Sequence, residues 1–179
     1  GLHLYVRYHP NHFGIPYFAA TLVDPDLESP FFVNGGYGCH PVRSIALTRA
    51  ICEAAQSRLS FIHGGRDDLD ERHARFRGWR EEARRAYARR VAEAARRNDG
   101  AVALDEVADT AAKVSSIKDA FDVLVDRVHR AGLKQILTTT LTPPNVDLVV
   151  MRVIVPGLEF FNESSQRVGP RLKRHAEAA

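Results

Sequence analysis

Gly35-Gly36-Tyr37-Gly38-Cys39-His40-Pro41 is the stretch on which the reading of this chain turns, together with the helical run after it and Gly64-Gly65-Arg66-Asp67-Asp68 beyond. Residues without a Cβ reach positive φ and let a ligand approach backbone N–H groups. The glycines therefore predict a tight loop, the concave side of a phosphate site. From Pro41, a residue suited to a first helical turn, a helix is expected to run to about His63, where Gly64-Gly65 stops it. Arg49, Glu53 and Gln56 stand at i, i+4 and i+7 and so share one stripe of that helix. The opposite stripe, Leu47, Ala50, Ile51, Ala54, Ala55 and Ile62, is apolar. A cation, a carboxylate and an amide on one stripe suit a metal-bound phosphate. They equally suit a solvated surface on which Arg49 and Glu53 form an exposed pair worth about 0.3–0.5 kcal/mol, and spacing alone favours that surface. Arg58 pulls the other way, because a charge inside an apolar stripe has to be paired or to meet an anion.

Before the glycines, Leu2, Leu4, Val6 and Tyr8 alternate with His3, Tyr5 and Arg7, the period of a half-buried strand. Tyr17 to Val23 reads as a second strand and Phe31-Phe32-Val33 as a short third, together an antiparallel meander. After Asp68 a second helix is expected to about Arg97, with Phe76, Trp79, Ala83, Ala86, Tyr87, Val91 and Ala94 inward and a break near Gly78. Leu104 to Ala111 suggests a short helix. Ser116-Ile117-Lys118-Asp119 resembles a capping box opening another, with Phe121, Leu124, Val125 and Val128 inward and Gly132 at its end. Gln135 to Leu141 and Asp147 to Val155 read as strands, the second apolar throughout and hence expected to be buried on both faces. The pattern predicts an α+β fold, an antiparallel or mixed sheet packed against several helices. Residues 1–161 are expected to form a single domain and 162–179 a basic, poorly ordered tail.

At 179 residues, 45% hydrophobic and 26% charged, the chain can bury a core without disulfides or structural metal. No run approaches the roughly 20 apolar residues that span a membrane. Cys39 and Cys52 form no C-x-x-C pair and are expected to be reduced, which fits a cytoplasmic setting. The net charge of +3 conceals an arginine concentration between Arg66 and Arg97, but Glu71, Glu81, Glu82 and Glu93 dilute it. A solvated helix face accounts for those arginines better than nucleic acid does. There is no G-x-x-x-x-G-K-[ST] loop, no complete G-x-G-x-x-G after a strand and no G-x-S-x-G elbow. His9-x-x-His12 permits metal binding by spacing, but no third ligand stands at a zinc-like interval, so solvated histidines are the better reading.

Three runs taken together resemble the second half of a YcaO-family domain. They are Gly36-x-Gly38-x-His40-Pro41, then Arg49-Ala50-Ile51-x-Glu53-Ala54-Ala55-Gln56-Ser57-Arg58-Leu59, then Gly65-Arg66-Asp67-Asp68. Val150-Met151-Arg152-Val153-Ile154-Val155-Pro156-Gly157-Leu158-Glu159 resembles that family's closing strand, and Arg167-Val168-Gly169-Pro170-Arg171 its continuation. The resemblance implies ATP and Mg²⁺ binding without a P-loop, and ATP-dependent activation of peptide backbone amides in ribosomal peptide modification. The amide oxygen is phosphorylated and leaves as phosphate, giving azolines from a Cys, Ser or Thr nucleophile or thioamides from sulfide. By position it makes Glu53 a magnesium-linked carboxylate, Gln56 an ATP-site partner, and Arg49 and Arg66 phosphate or substrate contacts. It also implies a peptide substrate, allows a homodimer, and places the family's first half, with further ATP ligands, before Gly1, so the isolated piece is expected to be inactive. Pro170 is the sole proline after Pro156, where azoline-forming members often carry several. That shifts weight to the thioamide-forming branch, whose members often sit beside a TfuA-type partner. The alternatives are a non-catalytic ATP-binding accessory module and, with less support, an RNA-binding domain.

Overall fold

The computed structural model describes residues 1–25, 30–64, 69, 74, 76–98, 100–161 and 166–177. The chain divides into two compact units, Gly1–Leu124 and Val125–Ala179. The fold is α+β, with antiparallel sheets. No helix among the described residues is long and apolar enough to cross a membrane.

In the first unit, β1 (His3–Tyr8), β2 (Tyr17–Val23) and β3 (Val33–Cys39) form an antiparallel sheet in the order β1-β2-β3. The register places Tyr8, Phe18 and Gly38 in one row and Val6, Ala20 and Gly36 in the next. The third strand differs from the expected one. It includes the glycines, which are extended rather than looped, and none of Gly35, Gly36 and Gly38 has a positive φ. Their lack of a Cβ serves a different approach, that of helix α1 (Arg43–His63). A Cβ on Gly36 would fall onto Ala54 N and Ala50 O, and one on Gly38 onto Ala46 O and 2.7 Å from Ala50 N. Ala46, Ala50 and Ala54 are correspondingly 0% exposed, so two backbones meet with almost no side chain between them. Phe18, Ala20 and Val107 complete this core, with Tyr8, Leu22, Leu47 and Ile51 packed around it. The buried stripe of α1 is thus centred on Ala46, Ala50 and Ala54, while Ala55 and Ile62 of the expected stripe face solvent. Because α1 covers β2 and β3, Leu2, Leu4 and Val6 at the β1 end remain 43–44% exposed.

The helix starts two residues later than Pro41 predicts, because the junction is tied down from outside. The Val42 N–H donates to His40 Nδ1, the Thr110 hydroxyl donates to the Pro41 carbonyl, and Arg43 donates to the Asp105 and Val107 carbonyls. Gly64, with φ 69°, closes it in the left-handed conformation that C-terminal glycines supply. Gly78, with φ 84°, breaks the second helical pattern as expected, and α2 spans Glu81–Arg96. Phe76 packs edge-on to Phe31 and Trp79 and beside Tyr87, at centroid separations of 5.3–5.7 Å where aromatic pairs attract. In α3 (Ile117–Arg130) the capping box is present: the Ser115 and Ser116 N–H groups donate to Asp119 Oδ2, and the Asp119 N–H donates to Ser116 Oγ. Ala120 is its buried residue, whereas Phe121, expected inward, is 54% exposed.

The second unit holds the ribbon β4 (Leu137–Thr140) and β5 (Met151–Ile154), the short pair β6 (Phe160–Phe161) and β7 (Gln166–Arg167), and α4 (Pro170–Glu177), a helix within the basic tail segment. The expectation that the second apolar strand is buried on both faces is overturned. Met151, Val153 and Ile154 are 52–57% exposed. The physical reason is that β5 pairs with β4 alone, so among the described residues this two-stranded ribbon has no layer against either face. At the start of α4, the Arg171 and Leu172 N–H groups donate to the Glu159 carboxylate.

Candidate functional site

The flank of α1 that runs beside β3 carries Arg49, Glu53 and Gln56, all exposed. The structure therefore brings three of the four predicted residues onto one accessible stripe. The fourth, Arg66, lies with Gly65, Asp67 and Asp68 outside the described residues. No ion pair joins Arg49 to Glu53 among the described residues. Instead, Glu53 Oε2 accepts the Tyr37 N–H at 3.0 Å. Because β3 is the edge strand, this carboxylate lies along the open edge of the sheet and is oriented by a backbone donor. Its second oxygen makes no hydrogen bond among the described residues, and neither does the Gln56 amide.

Arg49 lies near Cys39. Desolvation pushes the Cys39 thiol up, and the Arg49 cation offsets part of that rise. A thiol held up in this way is mostly protonated at neutral pH and is a poor nucleophile. Cys39 and Cys52 are both free and exposed. Arg58, the charge inside the apolar stripe, is explained without a ligand: its guanidinium donates to Asp24 Oδ2 at 2.8 Å, with both side chains about four-fifths buried. The sequence reading missed Asp24, since nothing local marks a partner 34 residues away.

The donor set can be tested against Mg²⁺ and ATP. Mg²⁺ takes oxygen ligands, commonly one or two carboxylates, and completes its shell with water and substrate phosphates. Among the described residues no group of three or more His, Cys, Asp and Glu side chains is placed to hold a metal. A single free carboxylate oxygen beside a guanidinium and an amide does fit the protein side of a phosphate-bound Mg²⁺. The arginines of α2 are differently engaged: Arg84 donates to the Phe76 carbonyl, Arg85 pairs with Glu81, and Arg90 lies over the Tyr87 ring.

Comparison with known proteins gives a consistent result. Residues 1–159 match the family model described as YcaO cyclodehydratase, ATP- and Mg²⁺-binding. An uncharacterised protein of Methanothermobacter thermautotrophicus is 32% identical over 160 residues, covering 89% of this chain and 40% of that protein. An uncharacterised protein encoded in the tfuA 3′ region of Rhizobium leguminosarum bv. trifolii is 34% identical over 151 residues, covering 82% of this chain and 34% of its own length. The chain therefore spans about two fifths or less of these relatives. Among solved structures, YcaO from Methanopyrus kandleri bound with AMPPCP and Mg²⁺ matches with a TM-score of 0.65 and 25% identity, over 87% of this chain and 39% of that one. The heterocyclase TruD matches in fold, with a TM-score of 0.64 and 22% identity over 96% of this chain and 22% of its own.

Proposed function

We propose, since the chain belongs to the YcaO family, that it supplies one wall of the nucleotide site of an ATP-dependent enzyme activating peptide backbone amides in ribosomal peptide modification. One observation carries the reading: Arg49, Glu53 and Gln56 share an exposed stripe without pairing to one another, and Glu53 is held in place by a backbone N–H. Side chains kept apart and accessible are available to a ligand. In this reading the free oxygen of Glu53 meets the nucleotide's Mg²⁺, the Arg49 and Arg66 guanidiniums meet phosphate oxygens, and the Gln56 amide takes a further polar contact. Bound ATP supplies the phosphoryl group that turns an amide oxygen into a leaving group. The chain's own contribution is positional: β3 fixes α1 at a set depth, α1 fixes the stripe, and Tyr37 fixes the carboxylate. The tfuA-region relative supports the thioamide-forming branch and a TfuA-type partner. The cytoplasm remains the expected location.

The test is Mg·ATP turnover in the full natural protein. Glu53→Gln, which keeps an acceptor for the Tyr37 N–H but removes the charge, is expected to lower turnover by about a hundredfold or more. Gln56→Ala is expected to lower it by a smaller factor. Undiminished turnover in Glu53→Gln overturns the assignment, and phosphate release that ignores added peptide points instead to an accessory ATP-binding role.

A further inference from the structure

The face of the β1–β3 sheet opposite α1 carries a groove of about 310 Å³ that the nucleotide stripe does not use. Its floor is made of small residues: Ala19 stands between Arg7 and Tyr37 across the ladder, and Thr21 between Tyr5 and Gly35. Its walls are aromatic. Tyr17 stacks on Tyr37 with ring centroids 6.2 Å apart, and His9 lies 5.4 Å from Tyr17. The last turn of α2 closes the β1 side, where Arg96 Nε donates to the Tyr5 hydroxyl at 3.2 Å and Arg7 donates to the Ala94 carbonyl at 2.9 Å.

Three features of this groove restrict what it can hold. At about 310 Å³ it lies at the lower end of the roughly 300–1,000 Å³ of small-ligand sites, which admits a short segment and excludes a folded partner. Its lining contains Arg7 and no carboxylate. Desolvation and the Arg7 cation together hold the His9 imidazole below its ordinary value, so at neutral pH the fixed positive charge in the lining is the guanidinium. One cation that already spends a donor on the chain suits a single carboxylate. A polyanion track calls for several phosphate contacts along a groove. Finally, Tyr37 belongs to both places, its ring walling the groove and its N–H held by Glu53. The Tyr17 hydroxyl reports the same proximity, pushed up first by burial and then by Tyr37, Cys39 and Glu53.

We infer that this groove seats a short extended peptide segment carrying an acidic residue beside an aromatic one, its carboxylate on Arg7 and its ring against Tyr17 and Tyr37. The inference rests on the peptide-activating reading above and names where the substrate lies: one sheet edge away from the nucleotide stripe.

The probe is fluorescein-labelled Gly-Gly-Glu-Phe-Gly-Gly, followed by fluorescence anisotropy with the full natural protein, beside its Gln-for-Glu counterpart and a labelled dT oligonucleotide. The Glu peptide is expected to bind about tenfold more tightly than the Gln peptide, a difference that vanishes in Arg7→Gln. Ala19→Trp, which fills the floor, is expected to abolish binding of both. A merely structural Arg7 would weaken both peptides alike and leave their ratio intact, which overturns the inference. So does the absence of peptide binding, or tighter binding of the oligonucleotide. Should Ala19→Trp fail to fold, the Arg7→Gln ratio still decides. Peptide discrimination without Glu53-dependent ATP turnover leaves the groove standing and removes the proposed function. Glu53-dependent turnover without discrimination does the reverse.

Discussion

The junction of β3 with α1 and the β4–β5 ribbon invert the usual relation between hydrophobicity and burial. The first is built of glycine and alanine, yet Ala46, Ala50 and Ala54 are 0% exposed. The second is built of Met151, Val153 and Ile154, which are 52–57% exposed. What separates them is layering. A sheet strand with a helix laid on it buries whatever it carries, and the smaller its residues, the closer the helix comes. A two-stranded ribbon pairs its backbone but leaves both faces bare, whatever its side chains would gain from burial. Burial is a property of the element that arrives opposite, and the two regions also differ in what fixes them. The first rests on backbone-to-backbone contact. The second unit closes α4 with a carboxylate, Glu159.

The largest expected effect comes from removing the contact in the first region. Gly38→Ala puts a methyl onto the Ala46 carbonyl and 2.7 Å from Ala50 N, atoms of a helix backbone that cannot rotate away. Relief requires lifting α1 from the sheet, so the variant is expected to lose about 3 kcal/mol or more, measured by urea denaturation of the 179-residue chain. Gly35→Ala supplies the control, since its Cβ would have only Ala20 O nearby, at 3.9 Å. Were the glycines a ligand cradle, as their spacing first suggests, Gly38→Ala would cost nucleotide binding and little stability.

That contrast also marks what could be read in the sequence. The end of α1 at His63, its stop at Gly64, the break at Gly78 and the cap at Ser116–Asp119 were all legible, because each depends on residues within one or two turns, whereas the start at Arg43 depends on distant contacts. The shared stripe of Arg49, Glu53 and Gln56 was legible for the same reason: helical spacing alone sets it. The role of Gly36 and Gly38 was not, because glycine looks like a chain breaker until the small residues of α1 are seen to meet it. The partner of Arg58 at Asp24 and the rows Arg7-Ala19-Tyr37 and Tyr5-Thr21-Gly35 depend on strand register and packing across tens of residues. Composition likewise misjudged the ribbon, since an apolar run says what a strand would gain from burial and nothing about what covers it.

A second, smaller effect separates the regions by pH. Desolvation pushes the Glu159 carboxyl up, but hydrogen bonds from the Leu172, Arg171 and Gly169 N–H groups and the charge of Arg171 outweigh it and hold the group below its ordinary value. A depressed folded-state value means that the contribution is fully present above the unfolded value and is lost as pH falls through the folded one. Acidification below the ordinary carboxylate range is therefore expected to loosen the first turn of α4, seen as faster amide exchange at Arg171 and Leu172. The amides of Gly36 and Gly38 depend on no such carboxylate and are expected to keep their protection. Simultaneous loss at both places would mean that the two regions open as one, and that Glu159 is not what holds the second.

The smallest effect is the most direct measure of the difference in layering, because it places one substitution in both regions. Val23 is 0% exposed and Val153 is 57% exposed, and each is a valine in an antiparallel strand. Val→Thr is nearly isosteric and adds a hydroxyl. At position 23 that hydroxyl loses water without a ready partner, and the change is expected to cost about 2 kcal/mol. At position 153 it stays hydrated, and β-branching suits the strand equally well, so Val153→Thr is expected to stay within about 0.5 kcal/mol of the parent chain. The comparison is made by denaturation of both variants in the same buffer. If Val153→Thr costs as much as Val23→Thr, the ribbon has a cover in solution and the contrast between the two regions collapses. If the two differ as expected, exposure follows from the missing layer, and the aliphatic side chains of β5 contribute to this chain little more than threonine would.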